Sequence, residues 1–261
     1  MQTASHISLP PGFYWEAQLQ LNSETEQIAR LVWPSYLIDA SDLPQTGVQV
    51  QVTAKVLAER WLVWGIRRSE DKKLVAYANA VLIPLDLSAK RFPDEGWEFA
   101  LNALGSPENP NCVCLLVANV DPAFQKNGFA RKLLDRAKEL TLQLGFLDLV
   151  GPVRPSKKSL FPGLSMSEYL QKKNEQGDGF DPWLRQHLEG GAVIVNICDK
   201  SAVMKASLAR WQQWLGPLVT TQKSIFISGG LVPLEIDESN QTATYCEPNV
   251  WVHYQLSPPL A

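Results

Sequence analysis

The run from Cys112 to Val120 is apolar except for Asn119, uncharged, and rich in Val, Leu and Cys. Such a stretch has no water-facing side, so it is expected as a central strand. Beyond it, Asp121-Pro122 leads through Gln125-Lys126-Asn127-Gly128 into Phe129, Leu133, Ala137, Leu140 and Leu144, apolar positions at helical spacing. Arg131, Lys132, Asp135, Arg136, Lys138 and Glu139 fill the other face. Gly145 stands where a helix ends in a left-handed residue, and Phe146 to Val150 opens a second apolar run. The chain must therefore fold around a strand, a polar loop, an amphipathic helix and another strand in immediate succession.

The first N–H groups of such a helix lack an internal acceptor and carry partial positive charge, both of which an anion satisfies. Gly128 keeps a side chain out of the approach, while Lys126, Arg131 and Lys132 add charge that suits phosphate oxygens. A dinucleotide fingerprint fits less well, for there is no G-x-G and no acidic residue closes a following strand. Gln125-x-x-Gly128-x-Ala130, after a strand ending in Val120-Asp121-Pro122, resembles the acyl-CoA pyrophosphate loop Q/R-x-x-G-x-G/A of the GNAT superfamily of CoA-dependent N-acyltransferases. Ala130 replaces the commoner final glycine.

This resemblance implies an α/β (α+β) fold with a mixed, mostly antiparallel sheet flanked by helices. It implies acetyl-CoA, or another acyl-CoA such as malonyl-CoA, as donor. Donor contacts would come from Val117, Ala118, Asn119 and Val120 on the strand, and from Gln125, Lys126, Asn127, Gly128, Phe129, Ala130, Arg131 and Lys132 in the loop and helix.

The flanking sequence agrees with that architecture. Tyr14 to Leu21 reads as a strand, and Ser23-Glu24-Thr25-Glu26 as a capped start to a helix reaching Val32, which Pro34 ends or kinks. A polar helix is expected near Val52 to Arg60, and Trp61 to Arg67 with Leu74 to Ile83 form a hairpin. Residues 1–261 are expected as one domain, with insertions at about 84–111 and 155–179 and a C-terminal extension at about 216–261. The insertions hold short helices around Asp94 to Leu104 and Ser165 to Asn174; another helix is expected over Ser201 to Leu215.

Asp181-Pro182-Trp183-Leu184-Arg185-Gln186-His187 reads as a helix with Asp181 as N-cap and Pro182 at its first position. Ordinary GNAT enzymes carry a Tyr four residues before a Gly in the equivalent helix, near the CoA sulfur; here the residue four before Gly191 is His187. Together with Trp211-x-x-Trp214 and Glu247-Pro248-Asn249, this stretch resembles GNAT-like domains found alone and in polyketide loading modules. The resemblance implies His187 as the catalytic residue, protonating the departing sulfur. The accompanying hydroxyl of those domains does not map cleanly, Ser156 and Ser159 being the nearest choices. Trp211 and Trp214 read as core.

A formal charge of -3 and a pI near 5.7 argue against a nucleic-acid surface, and no apolar stretch is long enough to cross a bilayer. Cys112, Cys114, Cys198 and Cys246 suggest reduced thiols in a cytoplasmic protein without a metal site. The favoured reading is an N-acetyltransferase acting on a small-molecule amine. Because the strand from Cys112 to Val120 lacks a carboxylate to deprotonate an amine, a second reading stays open, a malonyl-CoA decarboxylase or an acyltransferase to the thiol of an acyl carrier protein; a non-catalytic acyl-CoA-binding protein is a third. Oligomeric state is not legible.

Overall fold

A computed structural model describes residues 6–16, 19–39, 53–218 and 221–257. Its strands are β1 (Phe13–Glu16), β2 (Trp61–Arg68), β3 (Leu74–Ile83), β4 (Cys112–Val120), β5 (Asp148–Val153), β6 (Val193–Ser207), β7 (Ser224–Ile225), β8 (Leu234–Asp237) and β9 (Thr242–Gln255). The helices are α1 (Ser23–Val32), α2 (Ser35–Asp39), α3 (Ala54–Arg60), α4 (Gly96–Ala103), α5 (Phe129–Gln143), α6 (Met166–Leu170), α7 (Pro182–Glu189) and α8 (Leu208–Leu215). The strands form one mixed sheet in the order β1-β2-β3-β4-β5-β9-β8-β7, and β6 pairs with the other edge of β9. All pairings are antiparallel except β4 with β5. The mixed, mostly antiparallel sheet flanked by helices is the expected one.

Every residue of β3 is buried, its apolar run broken only by Asn79, and so is β4 from Cys112 to Leu116. On one face of the sheet, Leu133, Leu134, Ala137 and Leu140 of α5 join Val113, Leu115, Leu149 and Tyr254 in a single core. Each fully buried leucine there stabilises the fold by roughly 1.5–3 kcal/mol. On the opposite face, α1 covers Leu74 and Tyr77 through Ile28, and α4 covers Cys112, Cys114 and Trp251 through Ala100 and Leu101.

Several boundaries differ from expectation. The helix expected over Ser201 to Leu215 begins only at Leu208, because Ala202–Ser207 pair with Glu247–Thr242 and prolong β6. Met204 and Ala206 point inward while Lys205 and Ser207 face water, a period of two that sits inside a segment whose local propensity also allows a helix; the long-range ladder decides. Ser207 then accepts from the Arg210 N–H and starts α8. Glu247 accordingly lies in mid-strand, not at a strand start. Asn22, not Ser23, caps α1, in a box with Thr25. The first strand ends at Glu16, Val52 lies outside the described residues, and α6 stops at Leu170.

Candidate active site

The one parallel pair among the described residues, β4 with β5, is short. Val113 pairs with Leu149 and Cys114 with Val150, and beyond these rungs the strands part, although β4 continues to Val120 and β5 to Val153. The departure coincides with a bulge: Ala80 pairs with Leu115 and Asn79 with Val117, leaving Leu116 as the extra residue. Past it, the edge of β4 that faces β5 has no strand partner, and Val117, Ala118 and Val120 are only half-buried. A forked pair of strands with unpaired backbone on its inner edge is thus open to a ligand.

At the open end of the fork lies the polar loop. Asp121 secures its base, accepting from the Ala123 N–H and pairing with Lys73 at 2.8 Å. Asn127 Nδ2 closes the turn by donating to the Phe124 carbonyl. Lys126 (φ 69°) and Gly128 (φ 74°) are both left-handed, backbone of the kind that gathers successive N–H groups around an anion. Gly128 is the N-cap of α5, and no side chain caps that end. Among the described residues no acceptor takes the N–H groups of Phe129, Ala130 or Arg131, and a Cβ placed on Gly128 would meet nothing within 4 Å. The cradle is open.

Residues 125–128 are exposed, whereas Phe129 is buried against Phe13 with ring centroids 4.8 Å apart. Phe129 therefore anchors the helix start and offers a ligand only its N–H. Arg131 is shared with Asp135 at 3.1 Å, whereas Lys126 and Lys132 have no ion-pair partner among the described residues. Lone pairs on a phosphate would meet free N–H groups, a helix dipole and two uncommitted lysines, so the residues present fit an acyl-CoA pyrophosphate.

His187 sits at the closed end. Its Nδ1 is 2.8 Å from Tyr254 Oη, and Tyr254 pairs with Leu149, which in turn pairs with Val113 at the vertex of the fork. Trp183 packs edge-on at 4.5 Å, and Lys138 of α5 ties the end of α7 by donating to the Gly190 carbonyl. The imidazole is 1 % exposed; burial, with nearby Lys138 adding to it, pulls its pKa down to about 3. The imidazolium expected as the acid for a leaving thiolate is therefore not populated at neutral pH. What the site retains is a neutral ring whose Nε2 is buried without a hydrogen-bond partner among the described residues. No recorded contact joins His187 to the loop; they stand at opposite ends of the fork.

The α1 face of the fork is built from side chains that are distant in sequence. Trp33, at the end of α1, donates its indole N–H to Asn119 Oδ1 at 2.8 Å on the β4 arm, and Asn119 Nδ2 donates to Tyr77 Oη. The same indole lies under the guanidinium of Arg154, 5.4 Å from the ring centroid, just past the β5 arm. Trp33 thus spans the mouth from arm to arm. Arg154 pairs with Glu247 at 2.9 Å, and Tyr245 Oη donates to the second Glu247 oxygen at 2.7 Å. β5 and β8 occupy successive stretches of one edge of β9, leaving the edge around Glu247 free for this cluster. Pattern reading had no access to Trp33, which looks like an ordinary helix-ending residue before Pro34. Ser156, one of the hydroxyl choices, is engaged by Asp181, the N-cap of α7. Among the described residues no group of His, Cys, Asp and Glu can hold a metal, and no helix is long and apolar enough to cross a membrane.

A forked parallel pair, a bulge, and an uncapped glycine-led helix between the two strands make this the GNAT-like acyltransferase fold. Among solved structures, the loading GNATL domain of CurA from Lyngbya majuscula has that fold, with a TM-score of 0.51, 18% identity, and coverage of 89% of this chain and 91% of that one. The GphF GNAT-like decarboxylase in complex with isobutyryl-CoA matches with a TM-score of 0.44 and 20% identity over 75% of this chain and 78% of that one. Along nearly its whole length the chain is also similar to the arginine N-acetyltransferase avaD of Aspergillus versicolor, 28% identical over 96% of each. No protein-family model matches. The similarity to that acetyltransferase along nearly the whole chain supports CoA-dependent acyl transfer.

Proposed function

We propose that the protein is an acetyl-CoA-dependent N-acetyltransferase acting on a small amine; the Aspergillus versicolor relative is named an arginine N-acetyltransferase. The observation that carries this reading is the fork between β4 and β5, which opens onto an uncapped N-terminus of α5. The thioester, when bound, supplies an activated acyl carbon; the chain supplies everything else.

Free N–H groups of Phe129, Ala130 and Arg131, with Lys126 and Lys132, hold the pyrophosphate and so fix the pantetheine arm along the fork. Unpaired backbone of Val117–Val120, past the bulge, faces the thioester carbonyl and stabilises charge as it develops on oxygen. His187 contributes from the vertex as a neutral hydrogen-bond donor through Nε2, with Tyr254 Oη donating to Nδ1 to hold the tautomer. The amine attacks from the α1 face, where Trp33, Asn119 and Arg154 form the wall.

β4 offers no carboxylate, and Glu247 is held in an ion pair with Arg154, so the acceptor sheds its proton to solvent; as the amide bond forms the C–S bond breaks, and CoA leaves as the thiolate, which solvent protonates. Mass spectrometry of products from acetyl-CoA and from malonyl-CoA, each with and without a mixture of amines, tests the proposal. N-acetyl products only when an amine is present are expected; acetyl-CoA formed from malonyl-CoA alone would replace this reading with decarboxylation.

A further inference from the structure

Arg154 follows the last residue of β5, and its side chain lies on the α1 face among Trp33, Gly229 and Glu247. Its Nε donates to Glu247 Oε1 at 2.9 Å and its Nη2 to the Gly229 carbonyl at 2.6 Å. Nη1 makes no hydrogen bond among the described residues and keeps some contact with solvent, the side chain as a whole being 14% exposed. Nη1 is thus left to solvent, while the rest of the guanidinium is bound to the chain. Glu247 does not take the spare donor: its bonds are from Arg154 Nε and Tyr245 Oη. The surroundings hold the group rigidly, with Trp33 against its face and Nη2 bound to the Gly229-Gly230-Leu231 segment. Lys158, completely buried, secures the same segment by donating to the Leu231 carbonyl at 2.6 Å. Nη1 is thus a preorganised donor of positive charge beside the mouth of the fork.

We propose that Arg154 Nη1 binds a carboxylate of the acceptor, so that the substrate is an amino acid and not a simple amine. This rests on the acetyltransferase reading above. The carboxylate is assigned to the acceptor because the cradle for CoA belongs to α5, on one side of the sheet, while Arg154 stands on the other, beyond the Trp33 bar. A singly charged group suits the place better than a phosphate, since Glu247 lies on the same guanidinium and would repel a dianion.

The test compares kcat/KM with acetyl-CoA for arginine against agmatine, and for lysine against cadaverine, pairs that differ by the carboxylate. One charge-assisted hydrogen bond predicts that the amino acid of each pair is preferred by roughly 10- to 100-fold. The double variant Arg154→Gln/Glu247→Gln, which removes both members of the ion pair together, should shrink the preference to within about threefold. Acetylation of both members at equal rates by the unaltered protein would overturn the assignment while leaving the acetyltransferase reading intact. Consumption of malonyl-CoA without amine, sensitive to the same double variant, would move the carboxylate to the donor and overturn it as well. Acetylation of none of them, with acetyl-CoA still bound in calorimetry, would sink both readings.

Discussion

The two sides of the fork are made of different materials. On the α5 side the cradle is exposed backbone, a left-handed Gly128 and three N–H groups with no internal acceptor, contributed by consecutive residues. On the α1 side the wall is buried and half-buried side chain, Trp33, Asn119, Arg154, Tyr245 and Glu247, drawn from four separate parts of the chain. A site of the first kind binds what every acyl-CoA shares and can be altered without unfolding the protein. In a site of the second kind recognition and stability are the same contacts, so an acceptor cannot be changed there without disturbing the fold.

The sharpest way to break that contrast is Glu247→Ala. It should destabilise the protein by about 3–5 kcal/mol in urea unfolding, because it strands Arg154 as an unpaired buried charge. A loss below about 1 kcal/mol would show the pair to be a surface-like bridge. Next comes Gly128→Asp, which should cost unfolding only about 1–2 kcal/mol, from a non-glycine residue held left-handed, while weakening acetyl-CoA binding in calorimetry by roughly a hundredfold through negative charge at the anion site. Unchanged affinity would remove the loop from the donor site.

Gly229→Ala probes the roof over Arg154. Gly229 has φ 75°, and a Cβ there would lie 2.6 Å from Pro34 Cγ, so a stability loss of about 1–3 kcal/mol is expected together with a raised KM for the acceptor but not for acetyl-CoA. Equal changes in both KM values would mean that the two faces are not separable.

The smallest effects concern His187. Replacing it with Ala should slow turnover roughly tenfold, the worth of one neutral hydrogen bond, with acetyl-CoA affinity nearly unchanged. Its pKa falls from the ordinary 6.5 to about 3 on folding, so between those values the unfolded chain binds more protons than the native one. Its contribution to stability is therefore complete above the unfolded value and is lost as pH drops through that window. Urea unfolding at about pH 5 and about pH 7.5 should show a steeper acid loss for the unaltered protein than for His187→Leu. Identical slopes would mean that the ring is accessible and charged. Turnover, in turn, should climb with pH toward the acceptor amine's own pKa, without a limb near that of an ordinary histidine.

Much of this was legible before any coordinates. The continuous apolar run of β4, the helical spacing of Phe129, Leu133, Ala137 and Leu140, and Gly128 between them are local signals, and local signals survive into the structure. Where the outcome depended on a partner strand, reading by propensity failed: residues 201–207 became strand because β9 was there to pair with them. His187 was visible as a residue in register with Gly191, but not its protonation, which is set by Trp183, Tyr254 and Lys138 closing around it.

What the sequence determined by itself was the donor side, since a phosphate cradle made of consecutive backbone N–H groups needs only a strand, a glycine and a helix start in order. Only the tertiary structure could decide the acceptor side. Trp33 meets Asn119 and Arg154 across the fork, and Arg154 meets Glu247 and Gly229, because the sheet and the covering α1 bring them within hydrogen-bond reach. No spacing along the chain encodes that proximity; it follows from burying the apolar faces of α1, β4 and β9 together, which is a property of the whole fold.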